Sequence, residues 1–161
     1  MSTTNSPGIK NPQFQADELF ITPFGQERVA DAGTTPTYRA IEKNLHPTGI
    51  HLMDDYLHEL SLGRSSRKAF CRRWGIPTQH LNALISILTG MNGDEFRYSI
   101  VQRNALLLLR HTDLSPEEVA RRSGIGSTAT LFRFMADQYG YTPTHWRKKY
   151  RAEGDLDRYL L

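Results

Sequence analysis

The hydrophobic positions divide the chain into two parts with different periodicity. From about residue 50 onward, apolar residues recur at intervals of three and four, the spacing of one helix face. Before that point no helical period survives, and only residues 19–21 indicate a short extended piece. Five of the eight prolines lie in the first 50 residues, which favours irregular structure. The pattern therefore predicts a helical region preceded by a mostly irregular arm.

Caps and glycines in the first half of this region predict four helices. The first carries apolar residues at positions 50, 53, 57 and 60. The second begins after Ser65 or Ser66 and ends at Gly75, and the third begins near Pro77 and ends at Gly90. A longer helix over about 94–110 ends in four leucines and is expected to pack on several sides.

Three shorter helices are predicted in the second half. They begin at 115–116, at 127 or 128 and at 142–143, where a serine or threonine precedes each first turn. Ser115 and Glu118 predict a capping box at the first of these helices. No strand ladder is predicted, so the expected fold class is all-α.

An internal repeat is the strongest feature of the sequence. Residues 72–76 match residues 121–125 with an offset of 49, and residues 90–97 match residues 140–147 with an offset of 50. Each copy is a short helix, a glycine turn and a longer amphipathic helix, which is the layout of a helix-turn-helix. Cys71 and Ala120, four positions before the turn glycines, are expected to be buried where the two helices cross.

The helix after each turn is expected to present its outer face to a DNA groove. Arginine binds guanine in bidentate fashion, so Arg133 is the best base-reading candidate, with a phosphate contact or a free surface charge as alternatives. Gln79 and Asn82 suit adenine edges. Phe132 fits a thymine methyl group or, equally, a contact within the protein. The predicted base contacts are Gln79, Asn82, Ala83, Thr128, Ala129, Phe132 and Arg133, and the two faces also include Ser86 and Ala136.

The net charge of +3 is too small to identify a partner, but it is unevenly placed. Residues 1–50 carry −1 and the remainder +4. Basic clusters are often only solvated faces. Beside recognition helices in both copies, they predict phosphate contacts. The predicted backbone contacts are Arg67, Lys68, Arg72, Arg73, Arg121, Arg122, Arg147, Lys148, Lys149 and Arg151. Residues 77–89 contain no Lys or Arg, so the first copy is expected to read DNA weakly or to contact only the backbone.

These motifs resemble the DNA-binding domain of the AraC/XylS family of bacterial transcription regulators. The resemblance covers about residues 50–151 and is densest from Arg110 onward, in 112–115, 118–120 and 124–125 and at Leu131 and Arg133. Residues 140–147 are similar to the family's ending Gly-x-Ser/Thr-Pro-x-x-Tyr/Trp-Arg. It implies two helix-turn-helix lobes on a linker helix, which insert into successive major-groove segments. Val101 and Met135 stand where the family usually has Arg and Phe. The family's effector-binding barrel has no room in about 50 residues, so no inducer pocket is expected.

Other classes of protein and site find little support. One cysteine excludes an internal disulfide, and neither a signal peptide nor a membrane span is visible. His51 and His58 flank two aspartates, but that spacing is a weak metal pattern. No catalytic motif occurs. We therefore expect a cytoplasmic protein that is not an enzyme and has no metal or cofactor.

The sequence thus predicts three segments and one function. The segments are an arm (1–49), flexible or loosely docked, a DNA-binding domain (50–151) and a tail (152–161). Within the domain, 50–92 and 111–151 are the lobes and 93–110 is the linker helix. The expected function is sequence-specific binding of double-stranded DNA in transcription regulation, with RNA polymerase or another protein contacted through the arm. The alternatives are a DNA-bending or recombination accessory factor and a protein-interaction module.

Overall fold

A computed structural model describes residues 12–29 and 35–161, and in these residues it has seven α-helices and one small sheet. The helices are α1 (His51–Ser61), α2 (Arg67–Trp74), α3 (Thr78–Thr89), α4 (Gly93–His111), α5 (Pro116–Ser123), α6 (Thr128–Tyr139) and α7 (Pro143–Tyr150). The strands are β1 (Gln26–Val29), β2 (Thr37–Ala40) and β3 (Tyr159–Leu160), and a 3-10 helix spans Ala16–Leu19. The predicted all-α class is confirmed. We call α1–α3 lobe one and α5–α7 lobe two.

Local capping chemistry explains where the helices begin and end. Ser66, Ser127 and Thr142 each accept a hydrogen bond from the backbone three residues on, as predicted for N-caps. The turn glycines Gly75 and Gly124 adopt left-handed conformations, with φ of 67° and 83°, that residues with a Cβ rarely adopt. Each helix-turn-helix therefore reverses direction at its predicted glycine.

The capping box at α5 forms only in part. The Ser115 hydroxyl accepts from the Glu118 amide at 3.2 Å, as predicted. The Glu118 carboxylate does not reach back to Ser115. It accepts from Arg121 and Arg122 instead, because these side chains share its helix face at i+3 and i+4. The prediction of a reciprocal box was wrong for this second half.

The core is continuous through both lobes, with α4 at its centre. Leu81 and Ile85 of lobe one and Leu131 and Met135 of lobe two are all buried, at the positions that the helical period predicts. The α4 residues 105, 108 and 109 are also buried, while 106 and 107 are half-buried. Helix α4 packs on α3 and α5, which places it between the lobes as a linker helix.

Cys71 and Ala120 lie where the helices of each helix-turn-helix cross. Both side chains are buried, as predicted, with 1% of each residue exposed. Burial raises the pKa of the Cys71 thiol. This cysteine therefore acts as a small apolar side chain in the first lobe, in the place that alanine takes in the second.

The arm and the tail meet in a sheet that the sequence analysis did not predict. Strand β1 pairs antiparallel with both β2 and β3, so that Gln26 lies opposite Ala40 on one side and Leu160 on the other. The prediction of no strand ladder was wrong. It failed because the strands have two to four residues, too few to show an alternating pattern.

The described part of the arm is also anchored to the core. Leu19, Ile21 and Phe24 are buried among the core residues, although residues 19–21 form the end of the 3-10 helix and a following extended segment rather than a strand. The Phe24 ring stacks on Tyr159 of the tail at 5.0 Å between centroids, and His111 of α4 meets both rings edge-on. The boundaries at 49/50 and 151/152 stay predictions, and residues 1–11 and 30–34 of the arm lie outside the described part.

The lobes touch at a polar junction beside the second turn. The buried Asn104 amide of α4 donates to the Leu60 carbonyl of lobe one at 3.1 Å and to the Ser123 carbonyl of lobe two at 3.2 Å. The Ser65 hydroxyl donates to the Gly124 carbonyl at 2.6 Å. Arg97 donates to Ser65 and to the same Gly124 carbonyl. We call these residues the lobe junction.

Candidate nucleic-acid interface

The outer face of α6 is open in the way the sequence predicts. Ala129, Phe132 and Arg133 are exposed, and Thr128 is half-buried at the start of the helix. Arg133 has no hydrogen-bond or ion-pair partner among the described residues, so its guanidinium is available to an external ligand. Phe132 is 40% exposed and lies outside the core, which leaves its ring available for contact with a partner.

The outer face of α3 is partly occupied by the protein itself. Gln79 and Ala83 are exposed. Asn82 is half-buried, and its Oδ1 accepts from the Arg67 guanidinium at 2.7 Å. The Ser86 hydroxyl donates to the Met91 carbonyl at 3.0 Å. One of the two lone pairs of the Asn82 acceptor is therefore already used, whereas its amide N–H groups have no partner among the described residues.

Three of the predicted phosphate contacts have structural partners. Arg67 forms an ion pair with Asp94 and has only 17% of its side chain exposed. Arg147 donates to the Leu109 carbonyl at 2.9 Å, and burial lowers its pKa. Arg151 donates to the carbonyls of Leu109, Arg110 and Thr112 and pairs with Asp113.

Arg147 and Arg151 thus satisfy carbonyl groups at the C-terminal end of α4 that no intrahelical donor can reach. A guanidinium held in this way is costly to redirect to DNA, because the carbonyl would lose its donor. The assignment of Arg67, Arg147 and Arg151 to DNA phosphates stays a prediction.

The other predicted phosphate contacts are exposed. Lys68, Arg72 and Lys148 have no hydrogen-bond or ion-pair partner among the described residues. Four more cations have partners. Arg73 pairs with the mostly buried Glu59 carboxylate, whereas on the surface Arg121 and Arg122 pair with Glu118 and Lys149 donates to the Tyr141 hydroxyl. The two arginines hold the pKa of the Glu118 carboxyl below its usual range. Surface pairs of this kind are weak and can open toward a phosphate.

Sequence reasoning did not predict the contacts that join the lobes, although it considered Ser65 as a helix cap and Gly124 as a turn residue. Arg97 was visible as the repeat partner of Arg147, and the two share a structural task, since each donates to backbone carbonyls of another element. The repeat was therefore the signal that could have identified Arg97. Ser65 and Asn104 had no such signal, because each acts through contacts between distant parts of the chain.

A cavity of about 370 Å³ lies between the arm, the tail and α4. Its walls include Phe20, Phe24, Tyr159 and Leu107, with Lys43 among the polar lining residues. Burial lowers the pKa of Lys43. The expectation of no inducer pocket stays untested, but the arm does enclose space against the linker helix.

Both aspartates of α1 and one of its two histidines, His51, contact other residues of the protein. Asp54 accepts from the Thr48 and Gly49 amides before the helix, and Asp55 accepts from the Trp74 indole at 2.8 Å. His51 meets the Trp74 ring edge-on. In the described ranges no group of three or more potential metal ligands occurs. None of the described helices is both long enough and apolar enough to cross a membrane.

Two helix-turn-helix units, each with an accessible second helix, define a class of DNA-binding protein. A family model described as a helix-turn-helix domain matches residues 70–149, which begin in α2 and end in α7. These residues form an AraC-type helix-turn-helix domain, and the resemblance found in the sequence is confirmed for this domain. Such domains bind DNA, typically in transcription regulation, and are typically not enzymes. No curated protein and no solved structure matches the chain.

Proposed function

We propose that the protein is a sequence-specific transcription regulator that places α3 and α6 in successive major-groove segments of double-stranded DNA. The observation that carries this proposal is the repeated helix-turn-helix with an exposed, unpaired Arg133 on its second recognition helix. Arg133 reads a guanine, and Thr128, Ala129 and Phe132 contact neighbouring bases or phosphates. In α3, Gln79, Asn82 and Ala83 face the other segment.

The experiment is selection of bound DNA from a random pool, followed by footprinting of the selected site. Two protected segments about one helical turn apart are expected, because each recognition helix occupies one major-groove segment. Arg133→Ala is expected to weaken binding to this site by about 1–3 kcal/mol and to relax the preference at one base pair. Arg39→Ala removes the same charge from the exposed strand β2 and serves as the matched control. A single protected segment would contradict the two-lobe mode.

The second candidate function is a protein-interaction module. It is favoured by α3, which carries no cation and exposes 50% of Ile87. Contact with RNA polymerase or another protein through the arm is compatible with either function. Electrophoretic mobility shifts at low salt separate the two, because a module without affinity for DNA would leave both random and selected duplexes unshifted.

A further inference from the structure

A cleft of about 590 Å³ lies between the two lobes, next to the lobe junction. Lobe one contributes the connection from α1 to α2 and one side of α2. Lobe two contributes the end of α5 and the turn before α6. Four arginines line it, and we call it the interlobe arginine cleft: Arg64, Arg72, Arg73 and Arg121.

The cleft is strongly positive. Glu59 is the one carboxylate in its described lining, so the lining has a formal charge of +3, equal to that of the whole chain. Glu59 accepts from Arg64 at 3.4 Å and from Arg73 at 2.9 Å, and its side chain is only 12% exposed. Arg121 pairs with Glu118 outside the cleft, and Arg72 has no such partner among the described residues. Most guanidinium N–H groups are therefore free to bind an anion.

The walls of the cleft are held in fixed positions. The backbones of the two lobes lie close together here, because a Cβ on Gly63 would collide with the Arg122 carbonyl and a Cβ on Gly124 would lie 3.1 Å from the Gly63 carbonyl oxygen. The hydrogen bonds of Ser65 and Arg97 to the Gly124 carbonyl join the two walls at the same place. The backbone segments that carry the arginines of both lobes are thus held together before a ligand arrives, which lowers the entropy cost of binding.

The cleft also lies directly before the second recognition helix. Gly124 and Gly126 belong to its lining, and Ser127 caps α6 one residue later. An anion in the cleft would therefore lie beside the N-terminal end of α6, the helix that carries the base-reading face. Since α3 has no cation, the attraction of lobe one for a polyanion comes from the arginines of this cleft and from Lys68.

We propose that the interlobe arginine cleft binds phosphate groups, and that its occupant is the DNA strand that crosses between the two major-groove segments. Arginine matches this ligand, because its planar guanidinium donates two parallel hydrogen bonds to phosphate oxygens. The DNA occupant rests on the proposed function. Free phosphate compounds share the same chemistry and are separated from DNA by the experiment.

The experiment measures DNA affinity against salt concentration for the double variant Arg64→Gln/Arg72→Gln. Each lost phosphate contact is expected to reduce the log–log slope by about 0.9, so the variant should lose about 1.8 with little change in base preference. The control is Arg28→Gln/Arg39→Gln, which removes two charges from the sheet. Circular dichroism melting checks that both variants are folded.

The outcomes separate this proposal from the proposed function. An unchanged slope in a variant that still binds DNA would overturn the cleft and leave the regulator intact. An equal reduction by the control would also overturn it, because net charge alone would explain the effect. If the unaltered protein binds no DNA, the proposed function and the DNA occupant both fail. Calorimetry with sodium triphosphate then tests whether the cleft binds phosphate groups at all. Binding that is lost in the double variant supports a phosphate site in the cleft. Equal binding by both proteins, or binding by neither, overturns it.

Discussion

Lobe one and lobe two share a plan but carry their positive charge on different helices. Helix α2 has four cations and no acid, whereas the two arginines of α5 are balanced by two glutamates. The recognition helices show the reverse: α3 has no cation, and α6 carries Arg133. The repeat aligns Arg133 with Ala83, so the lobes differ at equivalent, exposed positions.

This difference shows how one scaffold can separate two tasks. Attraction to phosphates needs cations that point toward the backbone, and base reading needs side chains that reach base edges. In the function proposed above both recognition helices enter the major groove, but lobe one carries more of the cations that attract the backbone and lobe two carries the arginine that reads a base. Such a division requires the lobes to keep a fixed relation to each other, which is the task of the lobe junction.

The largest expected effect comes from breaking that junction. Asn104→Ala removes the buried amide that donates to a carbonyl of each lobe, and a buried polar group that loses its partner costs about 1–3 kcal/mol. We expect the free energy of unfolding in urea to fall by about 2–3 kcal/mol. Gln102→Ala, half-buried nearby on α4, is the control. Equal losses in the two variants would show that the hydrogen bonds of Asn104 to the two lobes contribute no extra stability.

The two turn glycines provide a matched comparison between the lobes. Gly75→Ala is expected to lower the free energy of unfolding by about 1 kcal/mol, the cost of a left-handed backbone at a residue with a Cβ. No steric cost is added, because no atom beyond its chain neighbours lies within 4 Å of the new Cβ. Gly124→Ala has the same backbone cost, and in addition the new Cβ would lie 3.1 Å from the Gly63 carbonyl oxygen and from the Ser65 side chain. We expect Gly124→Ala to cost about 2 kcal/mol in urea unfolding. If the two variants are equally stable, the second turn is not constrained by lobe one.

A charge can also be given to the first recognition helix. Ala83→Arg places an arginine at the position equivalent to Arg133, on an exposed helix surface where stability should change by less than about 0.5 kcal/mol. We expect tighter DNA binding, by roughly tenfold, with either a new base preference or a steeper salt dependence. Fluorescence anisotropy on selected and random duplexes measures both. No change in affinity would indicate that α3 does not approach DNA. Ile87→Arg adds the same charge elsewhere on α3 and tests whether the gain in affinity depends on position 83.

The smallest expected effect concerns His111, where α4 meets the sheet. Burial lowers the pKa of this side chain, so the unfolded chain binds more protons near pH 6 than the folded protein does. Stability contributed by the neutral ring is fully present above about pH 6.5 and declines as the pH falls through that value. Urea unfolding at pH 7 and pH 5 should show this loss. The loss of stability should be smaller in His111→Gln. It should persist in the control His80→Gln, which alters an exposed histidine of α3. An unchanged loss in His111→Gln would exclude His111 as its source.

The helices could be predicted because their signals are local. A cap such as Ser127, a terminator such as Gly140 and apolar residues three or four positions apart all lie within one element. The repeat then identified both helix-turn-helix units and the open face around Arg133. For these reasons the helical part of the fold and the α6 face of the site were within reach of sequence reasoning.

The remainder depends on contacts between distant residues. Strand β1 is held by a partner more than 130 positions away in the sequence, and Ser65 meets Gly124 across the lobes. A run of cations likewise does not reveal which of them the protein pairs internally. Arg67, Arg72 and Arg73 have the same appearance in the sequence, yet Arg67 forms an ion pair with Asp94 and Arg72 remains unpaired in the described chain.

The pairing of β1 with β3 sets an order on folding. Most helical contacts join residues close in the sequence, so they can form early and while the chain is still being made. The sheet is different, because Gln26 must wait for Leu160 and the long intervening loop must close at an entropic cost. Until synthesis has passed residue 160, β1 lacks its partner on one edge and Phe24 lacks the Tyr159 ring. Docking of the arm is therefore expected to be among the last events in folding, after α3 and α6 are in place.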